Sequence, residues 1–505
     1  MQTTSNSKRQ MNAIMKQRSI NKILIGYIFW FMLCPFMSIG QLTQTIINNP
    51  NVASNLQLLD AWLQTQVRYG KMPGVSVGIV YNGELIYQKG FGYADTEKKI
   101  PSTPDSRYRI ASQTKLFTAI GVMILRDEGK LRLDDPIEKY LPLLQLKSYN
   151  TNDPAVTIRQ LLSHSSGLSR DIEEHWTGLQ FPTKEEFRQL AKTNLRLIYS
   201  PNSKWKYSNN AYILLGDIIE AVSGKSYESF ITEKILRPLN MSSTAVTQDK
   251  NYQITLATGY GRKLPDNSRQ KIDFADAKAG TAMAGMASSV TDLAKFVAWQ
   301  MRLLYENKAE ILHPNTLREM QQIQFMDEET RCGLGFEIYR KGNDYLICKG
   351  GSYPGYRTCS AINPAEKIGV IVCTNGSDGE AYPGTAWSIS ERIFDWLTPA
   401  LKSNGLNSSQ STVLNKYKEF EGLYGNIWNE SYVIFLDGKL QIVNPNTPDP
   451  KSGIWILEPI TTDRFRIVSS PRFTPVGEEV VFNRNSQRKV TGFLAGDGWR
   501  STKIE

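Results

Sequence analysis

Gly74-Val-Ser-Val-Gly-Ile-Val-Tyr81 and Glu84-Leu-Ile-Tyr-Gln88 stand on either side of Asn82-Gly83. Asn-Gly readily supplies the positive φ angles that a type I′ turn requires, so the stretch predicts an antiparallel hairpin. Strand signals then fade, and return as Leu334-Gly-Phe-Glu-Ile-Tyr339, Tyr345-Leu-Ile-Cys348, Tyr356-Arg-Thr-Cys-Ser-Ala-Ile362 and Lys367-Ile-Gly-Val-Ile-Val-Cys373. Between these two sets the text is mostly helical. From Ser112 through Leu116, Phe117, Ile120, Val122, Met123, Ile124 and Leu125 to Gly129 it is apolar all round, which predicts a buried central helix. Thr157-Ile-Arg-Gln-Leu-Leu162 with Gly167, and Tyr212-Ile-Leu-Leu-Gly-Asp-Ile-Ile-Glu-Ala-Val222 with Gly224, extend the helical reading. Strands at both ends with helices between predict an α+β fold. One antiparallel sheet flanked by helices joins the early hairpin to the late strands, and the middle forms an inserted helical subdomain with a cleft beside the sheet.

Beyond that body, Leu401-Lys-Ser-Asn-Gly-Leu-Asn-Ser-Ser-Gln-Ser-Thr412 is polar and small, which predicts a linker over 399–412. After it, Ser431-Tyr-Val-Ile-Phe-Leu436 and Lys439-Leu-Gln-Ile-Val443 flank Asp437-Gly438, with further strand signals near Ile454, Phe465, Val480 and Val490. This predicts a small antiparallel β-barrel or sandwich over 413–505.

At the other end, Lys8, Arg9, Lys16, Arg18 and Lys22 precede Asp60, the first acidic residue, and a run from Ile23 to Cys34 is apolar. Pro35 and then Ser38-Ile39-Gly40 follow, the pattern of a secretory signal over 1–40, ahead of a polar lead-in over 41–57. The rival reading is an uncleaved membrane anchor. Gln41, Gln44, Asn48 and Asn49 end the apolar run early and favour cleavage. The expected location is therefore periplasmic or extracellular, with membrane contact only through this segment if it is retained.

Those five leading cations supply half of the net charge of +10, and the remainder is spread without a Lys/Arg block, so a nucleic-acid partner is not expected. Of five cysteines, Cys332, Cys348, Cys359 and Cys373 lie outside the leader. None shows C-x-x-C or Cys/His spacing, so no metal site is predicted. All four fall in apolar runs, as buried thiols do, although a disulfide of undetermined pairing stays open in an oxidising compartment.

Ser112-Gln113-Thr114-Lys115 sets a hydroxyl and an ammonium one helical turn apart at a helix start. A serine nucleophile needs a neighbouring base, and a lysine in apolar surroundings has its pKa lowered toward that task. The spacing recurs at Ser5/Lys8, Ser19/Lys22, Ser203/Lys206, Ser268/Lys271 and Ser486/Lys489, but only Ser112 opens a long apolar helix. Otherwise it is a helix cap beside a surface lysine. Tyr207-Ser208-Asn209 follows the polar Pro201-Asn-Ser-Lys-Trp-Lys206 and precedes a helix. A phenol near ammonium groups can act as general base, and the Asn209 amide can hydrogen-bond a substrate carbonyl. A plain turn gives the same letters, as Tyr424-Gly425-Asn426 does. Lys349-Gly350-Gly351-Ser352 ends a strand where two glycines let a substrate lie close, and Lys278-Ala279-Gly280 competes with it. The backbone N–H groups of Ser112 and Ser352 are the expected oxyanion hole.

The order Ser-x-x-Lys, Tyr-x-Asn, Lys-x-Gly on helix, loop and strand resembles the serine β-lactamase and penicillin-recognising enzyme superfamily. The similarity is to the class C-like branch with D-alanyl-D-alanine carboxypeptidases, D-aminopeptidases and esterases, over residues 58–398. Thr157-Ile-Arg-Gln-Leu-Leu-Ser-His-Ser-Ser-Gly-Leu168, Gly285-Met-Ala-Ser-Ser-Val-Thr-Asp-Leu-Ala-Lys295 and Gly350-Gly-Ser-Tyr-Pro-Gly-Tyr356 strengthen it. The resemblance implies Ser112 as acylated nucleophile, Lys115 and Tyr207 as the base pair, and Asn209, Lys349, Gly350 and Gly351 as substrate contacts. It implies no cofactor and no metal, and a small-molecule or peptide substrate: a D-amino-acid peptide, peptidoglycan fragment, β-lactam or small ester. Lys349 stands where many esterase-like members carry His and leans the substrate toward a carboxylate. Gly350 departs from the commoner Thr or Ser and argues against efficient antibiotic hydrolysis. The alternative function is a weakly catalytic penicillin or peptidoglycan sensor. His164 has no evident acidic partner for a triad and reads as a structural turn residue. Trp205, Tyr353 and Tyr356 are either cleft-lining or packing residues.

Overall fold

The computed structural model describes residues 46–144, 146–247, 255–377, 385–403, 416–470, 476–496 and 498–504. The expected signal over 1–40 lies outside them, as do residues 404–412 of the expected linker. No helix among the described residues is long and apolar enough to cross a membrane.

The predicted hairpin forms β1 (Gly74–Tyr81) and β2 (Glu84–Asp95), and the turn takes φ 52° at Asn82 and 81° at Gly83, the positive pair that Asn-Gly was read for. A short β3 (Ile100–Pro101) follows. The late strands are β4 (Phe325–Met326), β5 (Arg331–Cys332), β6 (Glu337–Lys341), β7 (Asp344–Tyr353), β8 (Tyr356–Asn363) and β9 (Ile368–Thr374). They join the hairpin in one nine-stranded sheet of order β3-β2-β1-β9-β8-β7-β6-β5-β4. The seam is antiparallel, with Val77 opposite Val372. β1 and β9 are almost wholly buried, which is why they read as mostly apolar runs and not as alternating ones.

Helix α1 (Pro50–Arg68) leads the body, α2 (Thr114–Asp127) is the apolar helix after Ser112, and α3 (Asn209–Ser223) ends on Gly224 in the left-handed region. Helices α4 (Val290–Glu306) and α5 (Ala386–Lys402) follow. α4 packs on β1 and β9, so closely that a Cβ on Gly78 would lie 2.6 Å from Val290 and one on Gly369 2.4 Å from Val297. α5 packs on β8 and β9 and against α1, where Trp62 meets Trp396 edge-on at 5.3 Å. Every α2 residue from Thr114 to Leu125 is buried, and Phe117 stacks on Phe296 of α4 at 4.6 Å. The predicted α+β architecture is the one found.

The C-terminal strands close into a barrel of eight: Gly422–Gly425, Glu430–Leu436, Lys439–Val443, Trp455–Pro459, Arg464–Ser469, Glu479–Arg484, Val490–Ala495 and Trp499–Lys503. Of the two architectures the sequence left open, barrel and sandwich, it is the barrel. It is held to the body through α1: Trp62 Nε1 donates to the Thr447 carbonyl at 3.0 Å, Gln66 Nε2 to that of Pro445 at 3.1 Å, and Lys451 Nζ to Asn55 Oδ1 at 2.7 Å. The described residues from Ile47 onward form one compact unit.

Two local expectations change. The polar lead-in is helical from Pro50: the Asn49 side chain caps it by accepting from the Asn51 N–H at 3.0 Å, and proline suits the first helical turn. Residues 399–402 of the expected linker are the last turn of α5.

Candidate active site

The strand Arg107–Arg109 pairs with Ala287–Ser289 and delivers the chain into a tight 3-10 turn, Ala111–Gln113, that runs into α2. Ala111 holds φ at 53°, a left-handed conformation uncommon for a non-glycine residue. The turn is seated on the sheet. Thr358 Oγ1 donates to the Ile110 carbonyl at 3.1 Å, and a Cβ on Gly351 would lie 2.1 Å from that oxygen. Glycine at 351 is therefore what lets β7 approach the Ser112 turn.

Ser112 reaches solvent while Lys115 is fully buried. Lys115 Nζ donates to Asn209 Oδ1 at 2.9 Å, to the Met283 carbonyl at 3.0 Å and to Ser112 Oγ at 3.3 Å. None of these acceptors is a carboxylate, and burial pulls the Lys115 pKa below its usual value.

Tyr207 is brought to the same point by the cap of α3. The Ser208 side chain accepts from the Ala211 N–H at 3.0 Å, and the Asn209 N–H donates to the Arg170 carbonyl at 2.8 Å. The Tyr207 hydroxyl then lies 2.7 Å from Ser112 Oγ. Three cations face its ring: Lys115 at 5.0 Å, Lys349 at 5.3 Å and Arg170 at 5.7 Å from the centroid. Burial opposes ionisation of the phenol, but the Lys115 and Lys349 charges outweigh it and leave the pKa below the usual tyrosine value. Lys349 is buried on β7, and its Nζ donates to Glu337 Oε1 at 2.7 Å. Burial alone would lower its pKa, and the Glu337 carboxylate reverses that. A Cβ on Gly350 would meet only the Thr358 carbonyl at 3.8 Å, an ordinary contact, and Ser352 is exposed.

The model for the family described as Beta-lactamase matches residues 59–391. The chain belongs to the beta-lactamase family. Protein flp of Staphylococcus aureus (strain MRSA252) is 28% identical over 369 residues, 72% of this chain and 70% of flp. Among solved structures, the octameric penicillin-binding protein homologue from Pyrococcus abyssi is 26% identical with TM-score 0.59, covering 88% of this chain and 99% of that one. The beta-lactamase/D-alanine carboxypeptidase from Yersinia pestis is 26% identical with TM-score 0.57, covering 70% and 100%.

Within this beta-lactamase-family fold, Ser112, Lys115, Tyr207 and Asn209 form one hydrogen-bonded group, and Lys349 joins it over the phenol face. Asn209 sits differently from a free substrate contact. Its Oδ1 accepts from Lys115, and its Nδ2 donates to Asp171 Oδ1 at 2.8 Å. Asp171 and Glu337 are the residues that sequence reasoning missed. A glutamate inside the apolar run Leu334–Tyr339 was the available signal for Glu337, whereas nothing local marked Asp171.

His164 is structural, as expected. It sits at φ 56°, its Nδ1 accepts from the Ser208 N–H at 3.2 Å, and its ring lies 4.5 Å from that of Tyr207. Burial, then Lys349 and Lys115, push its pKa well down, which keeps it neutral and able to accept. Tyr353 and Tyr356 are buried packing residues, with hydroxyls on the Ala275 and Ala257 carbonyls, and Trp205 stands 6.0 Å from Tyr207. All four described cysteines are free buried thiols.

Proposed function

We propose that this chain is a serine hydrolase that cleaves an amide or ester through an acyl-enzyme on Ser112. The observation that carries the reading is the Ser112 Oγ to Tyr207 OH contact of 2.7 Å, beside two buried ammonium groups. As phenolate, Tyr207 takes the proton from Ser112 while Oγ bonds to the substrate carbonyl carbon. Lys115 contacts both the nucleophile and the phenol face, stabilises the phenolate and holds the hydroxyl in line. The oxyanion sits between the N–H groups of Ser112 and Ser352, stabilisation of a kind worth about 3–4 kcal/mol per donor. The carbonyl re-forms as the leaving group departs with the proton from Tyr207. Water, activated by the same phenolate, then releases the acyl group. None of these steps requires a metal or organic cofactor.

The family and the likeness to the Yersinia pestis beta-lactamase/D-alanine carboxypeptidase support β-lactams and D-amino-acid peptides as substrates, with small esters a third class to test. The basic, apolar and small-residue pattern over 1–40 supports export. The test is a panel of D-Ala-D-Ala peptide, chromogenic cephalosporin and nitrophenyl esters against wild type and Ser112→Ala. Intact-mass detection of a fluorophosphonate adduct accompanies it. Turnover and adduct that both vanish in Ser112→Ala support the reading, and Ser112-independent turnover ends it.

A further inference from the structure

Each cation that faces the Tyr207 ring already has a partner, although the Arg170 side chain is 63% exposed. Lys115 is fully buried with three oxygen acceptors, Arg170 lies 3.3 Å from Asp171, and Lys349 is paired with Glu337 at 2.7 Å. Only Lys349 lies on the glycine-lined strand where a substrate would run, and the side chain of its partner is 22% exposed. A ligand carboxylate reaching for the Lys349 Nζ would therefore meet the Glu337 carboxylate at the same nitrogen. Lys349 gives one of its three N–H donors to Glu337, so a second carboxylate on the same nitrogen is held against the repulsion of the first and binds more weakly unless Glu337 turns toward water. A neutral acyl donor has no such demand. It needs only the hydroxyl, the phenol and the backbone donors.

We infer that Glu337 is the specificity-determining residue of this site: it occupies the carboxylate-receiving position at Lys349 and selects acyl donors that carry no carboxylate beside the scissile bond. The inference rests on the hydrolase reading for its kinetic consequence, but not for its binding consequence. It reverses the lean toward a carboxylate that Lys349 gives in the sequence, where its partner is invisible.

The experiment uses one cephalosporin as free acid and as methyl ester. Wild type prefers the ester in kcat/KM. Glu337→Gln, which keeps an acceptor for Lys349 without the charge, raises kcat/KM for the acid relative to the ester by about tenfold or more, through KM and not kcat. Glu337→Ala, a second variant should Gln fold poorly, moves the ratio the same way. A wild-type preference for the acid, or an acid-to-ester ratio that does not move in folded variants, overturns the inference. A second acid and neutral pair, N-acetyl-D-alanine and its methyl amide, is titrated calorimetrically as unreactive probes onto Ser112→Ala with and without Glu337→Gln. A tightening of the acid alone supports the inference even if no Ser112-dependent turnover exists, an absence that would refute the hydrolase reading and leave this one standing. Equal affinities across the variants overturn it.

Discussion

Replacing Tyr207 with Phe isolates the group on which the mechanism turns. The ring keeps its neighbours, His164 at 4.5 Å, Trp205 at 6.0 Å and Lys115 at 5.0 Å, so the fold loses only a hydroxyl whose partner is Ser112 Oγ at 2.7 Å. One such hydrogen bond is worth about 1 kcal/mol to stability. Positioned general-base catalysis is worth about 10²–10⁴ in rate, or roughly 3–5 kcal/mol of barrier. The two effects therefore separate: a small change in thermal midpoint with a fall of at least about a hundredfold in kcat/KM. The pH profile adds a sign. On the proposed mechanism the phenolate is the active form, so kcat/KM of wild type should rise with pH through the depressed Tyr207 pKa and level above it. In Tyr207→Phe that limb is gone. Stopped-flow ester hydrolysis from mildly acidic to alkaline pH, with calorimetric melting of both proteins, reads all three quantities. A folded Tyr207→Phe that keeps activity within about threefold with the same pH limb would refute the assignment and leave Lys115 as sole base.

Gly351→Ala should melt well below wild type, because its Cβ would lie 2.1 Å from the Ile110 carbonyl, whereas Gly350→Ala, whose nearest neighbour is 3.8 Å away, should melt as wild type. Overpacking of this kind costs about 1–3 kcal/mol, read by thermal denaturation. Asp171→Ala frees the Asn209 amide to rotate off Lys115 and should lower kcat by about tenfold with KM little changed. Lys115 and Tyr207 both have folded pKa values below their unfolded ones, so the unfolded chain binds more protons in that window and their contribution to stability grows as pH rises through it. Urea unfolding of the Lys115→Met, Tyr207→Phe double variant should show a flatter rise over the same range. Finally, a disulfide-exchange reagent should titrate none of the four described thiols in the native protein and all of them in denaturant. They are buried, and burial pushes Cys332 and Cys359 up to about 12.

What was legible in the chain follows the range of the interactions involved. Asn82-Gly83 fixes its own turn, and the runs in β1 and β9 are apolar because both faces are covered, so the hairpin and sheet could be read locally. Helix α1 could not. Asn51, Ser54 and Asn55 make its start look like a polar loop, yet Asn55 and Gln66 are buried because the barrel meets that face with a lysine and a backbone carbonyl. The polarity of the sequence there reports an interface that only the folded chain has. The site divides the same way. Ser112 and Lys115 are one turn apart and Tyr207 and Asn209 flank a helix cap, all short-range relations. Glu337 and Asp171 matter only through partners distant in the chain, and a charged residue gives no hint of which charge it will meet.

That distinction decides how two lysines around one phenol can do different work. Lys115 sits among oxygen acceptors that carry no charge, so desolvation governs it and its pKa falls. Lys349 is equally buried but has Glu337 at 2.7 Å, and its pKa rises. Environments that push like groups apart suit them to different tasks: Lys115 releases its proton more readily than an ordinary lysine, and Lys349 holds its proton more tightly. On the proposed mechanism Lys115 is the lysine suited to exchange a proton with the Tyr207–Ser112 pair, while Lys349 supplies a field across the same ring. Removing the Glu337 charge would change the second without touching the contacts of the first. On the proposed reading, substrate selection at Lys349 and proton transfer at Tyr207 belong to different groups, so a Glu337 variant should keep the Tyr207 pH limb, displaced because Lys349 also acts on the phenol, and loss of that limb would contradict the reading.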